Sequence, residues 1–146
     1  MELRNYQQET LDILYRMEKE SKNGIFSTVV NLPTGGGKTA IAVEFCEDVL
    51  KNHKGKVLWL ADRIELLRQA KNSFSENTTI QALFDNNKLN DNAEDTDMFS
   101  KDAEIVFSSV ASLVKIYQNR DDSFIEWLGK EKLYVIYDEV HHIGAA

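Results

Sequence analysis

The stretch that decides the fold reads Leu32-Pro33-Thr34-Gly35-Gly36-Gly37-Lys38-Thr39. A β-branched run over residues 25–32 leads into it and apolar residues at helical spacing follow, so it predicts a turn between a buried strand and a helix. Its glycines let successive backbone N–H groups face one anion, and the helix N-terminus adds partial positive charge. Lys38 can then reach the β- and γ-phosphates of a nucleotide, and the Thr39 hydroxyl can ligate Mg²⁺. Leu32 stands where the usual pattern has its first glycine, and the alternative interpretation is a plain glycine-rich turn.

Short apolar runs alternate with helical periods along the rest of the chain. Strands are predicted over 25–32, 56–61, 104–108 and 133–137, with a short one over 78–84. Helices are predicted over 5–20, 41–49, 64–74, 110–118 and 123–128, and a polar surface loop over 85–102. This alternation predicts an α/β fold with a parallel sheet flanked by helices, in which ligands bind at the carboxyl ends of strands.

Composition limits the class of protein. The chain has 146 residues, enough for one domain, and 42% of them are hydrophobic, as in ordinary globular proteins. Its apolar runs are too short to span a bilayer, and its N-terminus has no apolar signal core, so no membrane association or export is expected. The single cysteine, Cys46, cannot form an internal disulfide, which favours a reduced, cytoplasmic protein.

The net charge of −7 argues against a basic protein that coats nucleic acid. Much of the excess lies in residues 75–104, which contain eight acidic side chains and two lysines. A solvated loop is the plain interpretation of this acidic segment. The alternative is that the segment keeps one side of the domain away from a phosphate backbone.

Two carboxylates follow the last predicted strand. Asp138 at a strand end is placed to hold Mg²⁺, and Glu139 can orient or deprotonate an attacking water. An ordinary acidic turn is the alternative for this pair alone, but together with the phosphate loop it predicts nucleotide hydrolysis. His141 and His142 have no cysteine or third ligand nearby in sequence, so they predict no zinc site and fit a polar relay or a plain loop.

These motifs resemble those of superfamily 2 helicases. Asp138-Glu139-Val140-His141 looks like their DExH box, and residues 33–39 look like their motif I. Leu3-Arg4-Asn5-Tyr6-Gln7 resembles the Q-motif of the branch that contains type I and III restriction motor subunits, repair helicases and RNA-sensing translocases. Residues 58–69 are similar to motif Ia, and Ser109 lies where that branch carries a strand ending in threonine. The resemblance implies a RecA-like P-loop NTPase domain.

The resemblance also implies a role for individual residues. The catalytic residues would be Lys38, Asp138 and Glu139, with Mg²⁺ held by Thr39 and Asp138. Gln7 would bind the adenine edge of ATP and Arg4 would pack on the base, roles that suit an amide and a guanidinium. A solvated helix start is the alternative for these last two.

The same resemblance implies contacts to a nucleic-acid backbone, which would be independent of base sequence. They would come from Arg63, Gln69, Ser109 and Ser112. For Arg63 a plain surface charge is the alternative. Trp59, in the middle of an apolar run, is expected in the core rather than stacked on a base.

The function implied is ATP hydrolysis coupled to translocation on nucleic acid or its unwinding, with DNA preferred over RNA. Residues 1–146 would then be the N-terminal part of the first RecA-like domain, truncated after motif II and without the second RecA-like domain. In the family a further strand, from the segment after motif II, lies between the motif I and motif II strands, so a poorly stable sheet or an exposed sheet edge is expected. Nearly absent hydrolysis is expected because the second domain would supply arginines to the γ-phosphate. The alternatives are a nucleotide-binding switch without translocation and a P-loop kinase; the DExH box argues against the kinase.

Overall fold

The computed structural model describes residues 3–21, 27–30, 37–52, 55–77, 89–91, 103–118, 122–130 and 132–137. The elements in chain order are α1 (Asn5–Glu20), α2 (Lys38–Asn52), β1 (Lys56–Ala61), α3 (Ile64–Asn77), β2 (Leu89–Asp91), β3 (Ile105–Ser109), α4 (Val110–Gln118), α5 (Asp122–Lys130) and β4 (Leu133–Tyr137). Strands thus alternate with helices, as the hydrophobic pattern predicts.

The described strands form one parallel sheet in the order β2-β3-β1-β4. Ala61 at the end of β1 pairs with Ser109 at the end of β3, and Leu60 pairs with Tyr137 at the end of β4. Three carboxyl ends are therefore aligned at one edge of the sheet. The predicted α/β class with a parallel sheet flanked by helices is confirmed.

Strand β1 is buried along its whole length because helices cover both faces of the sheet. Its odd-numbered residues, including Trp59, pack in a core shared with α1, α2 and α3. Leu58 and Leu60 pack on the opposite face in a second core with Trp127 of α5. Trp59 is 1% exposed, so its predicted place in the core is confirmed.

Helix α1 is attached to the sheet through its carboxyl half. Tyr15 stacks on Phe45 of α2, with the ring centroids 5.5 Å apart. The Tyr134 hydroxyl of β4 donates a hydrogen bond to Glu18, and Lys132 forms an ion pair with the same carboxylate at 3.2 Å. Burial, followed by the bond to Glu18, raises the pKa of Tyr134, so its hydroxyl remains a donor at neutral pH. These contacts hold the carboxyl half of α1, the end away from Arg4 and Gln7.

The prediction of a strand over residues 25–32 is wrong for residues 27–30, the part that the structure describes. Residues 27–30 form no strand, and the Val29 side chain is 68% exposed. Among the described strands, β4 has a neighbour on one side only, and its Val135 is 51% exposed. Composition favours a strand, but a strand also needs a partner for its backbone N–H and C=O groups. Residues 27–30 have no such partner among the described strands.

The predicted loop over 85–102 is also corrected, because residues Leu89–Asp91 form β2 and pair in parallel with β3. Asparagine and aspartate are uncommon in strands, so composition gave no sign of this short edge strand. Strand β3 begins one residue later than predicted, and α5 extends past both predicted ends. The strand predicted over 78–84 lies outside the described residues.

Candidate functional site

Helix α2, which follows the predicted phosphate loop, begins at Lys38, directly after Gly37. Gly37 has φ 75°, in the left-handed region that favours glycine, and its carbonyl accepts a hydrogen bond from the Ile41 N–H at 3.2 Å. The first turn of this 15-residue helix contains no acidic residue, so nothing there offsets its partial positive charge. Lys38 is exposed and Thr39 is half-buried at this end. The described part of the loop therefore fits an anion, while Pro33, Thr34, Gly35 and Gly36 lie outside the described residues.

Gln7 packs directly against Gly37. Its side chain is buried, and a Cβ added to Gly37 would overlap the Nε2 atom of Gln7. Its Oε1 atom accepts a hydrogen bond from the backbone N–H of Arg4 at 2.9 Å, which caps the N-terminus of α1. The structure thus brings together two predicted cofactor-binding residues that are far apart in sequence.

The cap formed by Gln7 is a role that the sequence analysis missed. Glutamine at the third position of a helix is the sign that could have revealed it. Arg4 is exposed, and its Nη1 atom lies 3.5 Å from the Tyr6 hydroxyl as a weak donor. Adenine contacts from Arg4 and Gln7 stay predictions.

Gly37→Ala is expected to weaken Mg-ATP binding by about tenfold or more. An alanine at positive φ is strained by about 1–2 kcal/mol, so the unliganded loop would relax out of this conformation and binding would have to restore it; tenfold in affinity corresponds to about 1.4 kcal/mol. The new Cβ would also displace Gln7. Calorimetric titration of Mg-ATP checks this, with Gly129→Ala as control, because a Cβ at Gly129 meets no atom within 4 Å. Equal affinities for Gly37→Ala and the wild type would contradict the prediction.

Ser109 and Ser112 meet at the carboxyl end of β3. The Ser109 Oγ accepts a hydrogen bond from the Ser112 N–H at 3.1 Å and donates one to the Ser112 Oγ at 3.0 Å. Ser109 is buried and acts as the N-cap of α4, a second role that the sequence analysis missed. The structure brings the pair together, and their contact with nucleic acid stays a prediction.

Arg63 lies in the turn between β1 and α3. Its carbonyl accepts hydrogen bonds from Leu66 and Leu67 at 3.2 and 3.4 Å, so it directly precedes the first turn of α3, and its side chain is exposed. Gln69 is exposed as well. Six residues of helix turn through about 600°, so Gln69 lies on a different side of α3 from the start of the helix. The structure does not bring these two predicted nucleic-acid residues onto one helical face.

A hydrogen bond links the ends of β1 and β4. The Tyr137 hydroxyl donates to Asp62 Oδ1 at 2.5 Å, and this bond raises the pKa of Tyr137. Sequence analysis singled out neither residue, because they are 75 positions apart and only the strand register brings them together. Asp138 and Glu139, which follow Tyr137 in sequence, lie outside the described residues, as do His141 and His142.

Of the two predicted magnesium ligands, Thr39 lies within the described residues and Asp138 does not. Thr39 offers a hydroxyl oxygen at the start of α2, and no three His, Cys, Asp or Glu side chains cluster elsewhere in the described ranges. Cys46 is fully buried, and burial raises the pKa of its thiol, so it is an inert core residue.

None of the described helices has the length and apolar character needed to cross a bilayer.

Comparison with known proteins places the chain in a family. No curated protein matches it. A family model described as "Type III restriction enzyme, res subunit" matches residues 1–146. Together with the parallel sheet, this match supports a RecA-like domain, and at the level of the family it indicates helicase-like, ATP-dependent activity on nucleic acid. Because the match extends over every residue of the sequence, the chain belongs to the family of the type III restriction enzyme res subunit.

Proposed function

We propose that this chain forms the ATP-binding part of a motor that hydrolyses ATP to translocate along nucleic acid or to unwind it. The contact between Gln7 and Gly37 is the observation that carries the proposal. It joins the residue expected at the adenine to the last glycine before the phosphate-binding helix. The buried Gln7 side chain therefore lies beside the backbone that would face the nucleotide phosphates.

The nucleotide phosphates would lie at the N-terminus of α2. Lys38 would pair with the β- and γ-phosphates, and backbone N–H groups of the helix start would donate to the same oxygens. Thr39 and Asp138 supply hard oxygen donors of the kind that Mg²⁺ prefers. Bound Mg²⁺ would neutralise charge on the phosphate oxygens. Glu139 would orient the attacking water and accept its proton.

The nucleic acid would bind near the aligned carboxyl ends of β1 and β3. Arg63 offers an exposed guanidinium there, and Ser112 offers a half-buried hydroxyl. Contacts of this kind hold the backbone without selecting a base sequence. Since the net charge is −7, the attraction would be local rather than a property of the whole surface. We favour DNA over RNA because of the resemblance to restriction motors.

The proposal includes a second RecA-like domain, with residues 1–146 as the N-terminal part of the first. That second domain would bring arginines to the γ-phosphate, and such arginines raise rates by about 10³–10⁵. Residues 1–146 alone would therefore bind nucleotide but hydrolyse it very slowly. Closure of the two domains during each ATP cycle would grip and release the strand.

ATP hydrolysis by the intact protein tests the proposal. Rates are measured with Mg-ATP alone and with added single-stranded DNA, duplex DNA or RNA, and Lys38→Ala is the control for contaminating activity. We expect stimulation by nucleic acid, greater with DNA than with RNA, and no hydrolysis by Lys38→Ala. A hydrolysis rate that nucleic acid does not change would instead support a nucleotide switch. A Lys38→Ala protein that still hydrolyses ATP would overturn the proposed site.

A further inference from the structure

The hydrogen bond between Tyr137 and Asp62 joins two segments that the proposed function uses separately. Asp62 immediately precedes Arg63, the candidate contact to nucleic acid, and the start of α3. Tyr137 ends β4 and immediately precedes Asp138 and Glu139, the candidate hydrolysis residues. Each partner in the bond is thus one peptide unit away from a group with a predicted function.

The register of the sheet makes this bond a cross-strand link. Tyr137 pairs with Leu60 in the parallel ladder, so Asp62 lies just beyond the end of β1. The Tyr137 ring packs against the second core, the one that contains Leu58 and Trp127, while its hydroxyl reaches the exposed Asp62 carboxylate at 2.5 Å. Hydrogen bonds to a carboxylate are shorter than those to a neutral acceptor.

We propose that the hydrogen bond from Tyr137 to Asp62 transmits nucleic-acid binding at Arg63 to the hydrolysis residues Asp138 and Glu139. This inference rests on the proposed function, and it makes Tyr137 and Asp62 positioning residues. A phosphate held by Arg63 brings negative charge next to the carboxylate that accepts the bond. When the Asp62 carboxylate moves, the Tyr137 hydroxyl bonded to it moves as well, and with it the end of β4.

A purely structural role fits this bond poorly. Its polar atoms are exposed, and exposed polar contacts contribute little to stability. The start of α3 is already fixed by the Arg63 carbonyl, and β4 is already fixed by its pairing with β1. Removing the hydroxyl alone should therefore leave the fold intact.

Tyr134 offers a matched control on the same strand. Its hydroxyl also donates to a carboxylate, that of Glu18, but it lies near the amino end of β4 and connects to the carboxyl half of α1. Tyr134→Phe and Tyr137→Phe remove the same atom and the same kind of bond. They differ in whether the lost bond links the two candidate functional segments.

The test is ATP hydrolysis by the intact protein as a function of nucleic-acid concentration, with the ratio of fully stimulated to unstimulated rate as the readout. Tyr137→Phe is expected to lower this ratio by about fivefold or more, the lower end of ordinary coupling between two sites. Asp62→Asn, an exposed change that keeps an acceptor but removes its charge, is expected to lower the ratio in the same direction. The double variant should be no worse than Tyr137→Phe, because both changes remove one interaction. Tyr134→Phe should keep the wild-type ratio.

The outcomes separate this inference from the proposed function. Suppose that nucleic acid stimulates the wild type. If Tyr137→Phe then leaves the ratio unchanged, or Tyr134→Phe lowers it equally, the inference is overturned and the proposed function stands. A wild type that nucleic acid does not stimulate would overturn the proposed function and the inference with it. Thermal unfolding of each variant shows whether a lower ratio is caused by misfolding. If Tyr137→Phe misfolds, Asp62→Asn provides the test instead, because Asp62 is exposed.

Discussion

Glu139→Gln should lower the nucleic-acid-stimulated kcat for ATP by about 10²–10⁴-fold, the usual contribution of a general base. Glutamine has nearly the size of glutamate and can still bond to a water, but it cannot take the proton. Mg-ATP affinity should change little, because in the proposed site the phosphates would be held by the N-terminus of α2 and Lys38. Steady-state hydrolysis and calorimetric titration of the same preparation measure the two effects separately.

Glu76→Gln is the matched control for this change, because Glu76 is exposed in the last turn of α3. It should keep the wild-type rate. A Glu139→Gln protein that hydrolyses ATP within a few-fold of the wild type would remove Glu139 from the proposed chemistry.

Trp59→Ala should destabilise the fold by about 3–5 kcal/mol, a large part of the 5–15 kcal/mol that holds an ordinary domain together. Trp59 is 1% exposed at the centre of the sheet, and its ring lies 5.7 Å from that of Phe74 and 6.0 Å from that of Phe107. Truncation would leave a large cavity between β1, β3 and α3. Urea unfolding followed by circular dichroism measures the loss.

Two further variants make this test specific. Trp59→Phe keeps an aromatic ring and removes an indole N–H that is buried without a hydrogen-bond partner in the described part of the chain, so it should cost far less. Ile125→Ala on α5 truncates a side chain that is 49% exposed and should change stability little. A Trp59→Ala protein as stable as Ile125→Ala would show that the sheet is not packed as described.

Central elements of the fold could be predicted from sequence because their patterns are local. Strand β1 has the predicted bounds, Lys56–Ala61, since the short apolar run over residues 57–61 is typical of a strand covered on both faces. The start of α2 directly after Gly37 could be predicted for the same reason, because a glycine followed by apolar residues at helical spacing is a local pattern. Residues 27–30 show the limit of such reasoning, since a β-branched run forms a strand only beside a partner.

The connections between segments could not be predicted. The packing of Gln7 on Gly37 depends on how α1 lies against α2, and the bond between Tyr137 and Asp62 depends on the register of β1 and β4. Ser109 shows a different limit, because its position suggested a ligand contact while its hydroxyl caps α4. Short polar side chains at strand ends serve both purposes, and only the hydrogen-bond geometry distinguishes them.

The central claim is that Gln7 and the N-terminus of α2 form one site for adenine nucleotides. Calorimetric titration of Mg-ATP and Mg-GTP into the protein, with Lys38→Ala as control, tests it most directly. A glutamine amide can accept from the adenine amino group and donate to the neighbouring ring nitrogen, a pattern that guanine lacks. We predict ATP binding that exceeds GTP binding and is lost in Lys38→Ala. Absence of ATP binding to protein shown to be folded by circular dichroism, or equal binding by Lys38→Ala, would contradict the account.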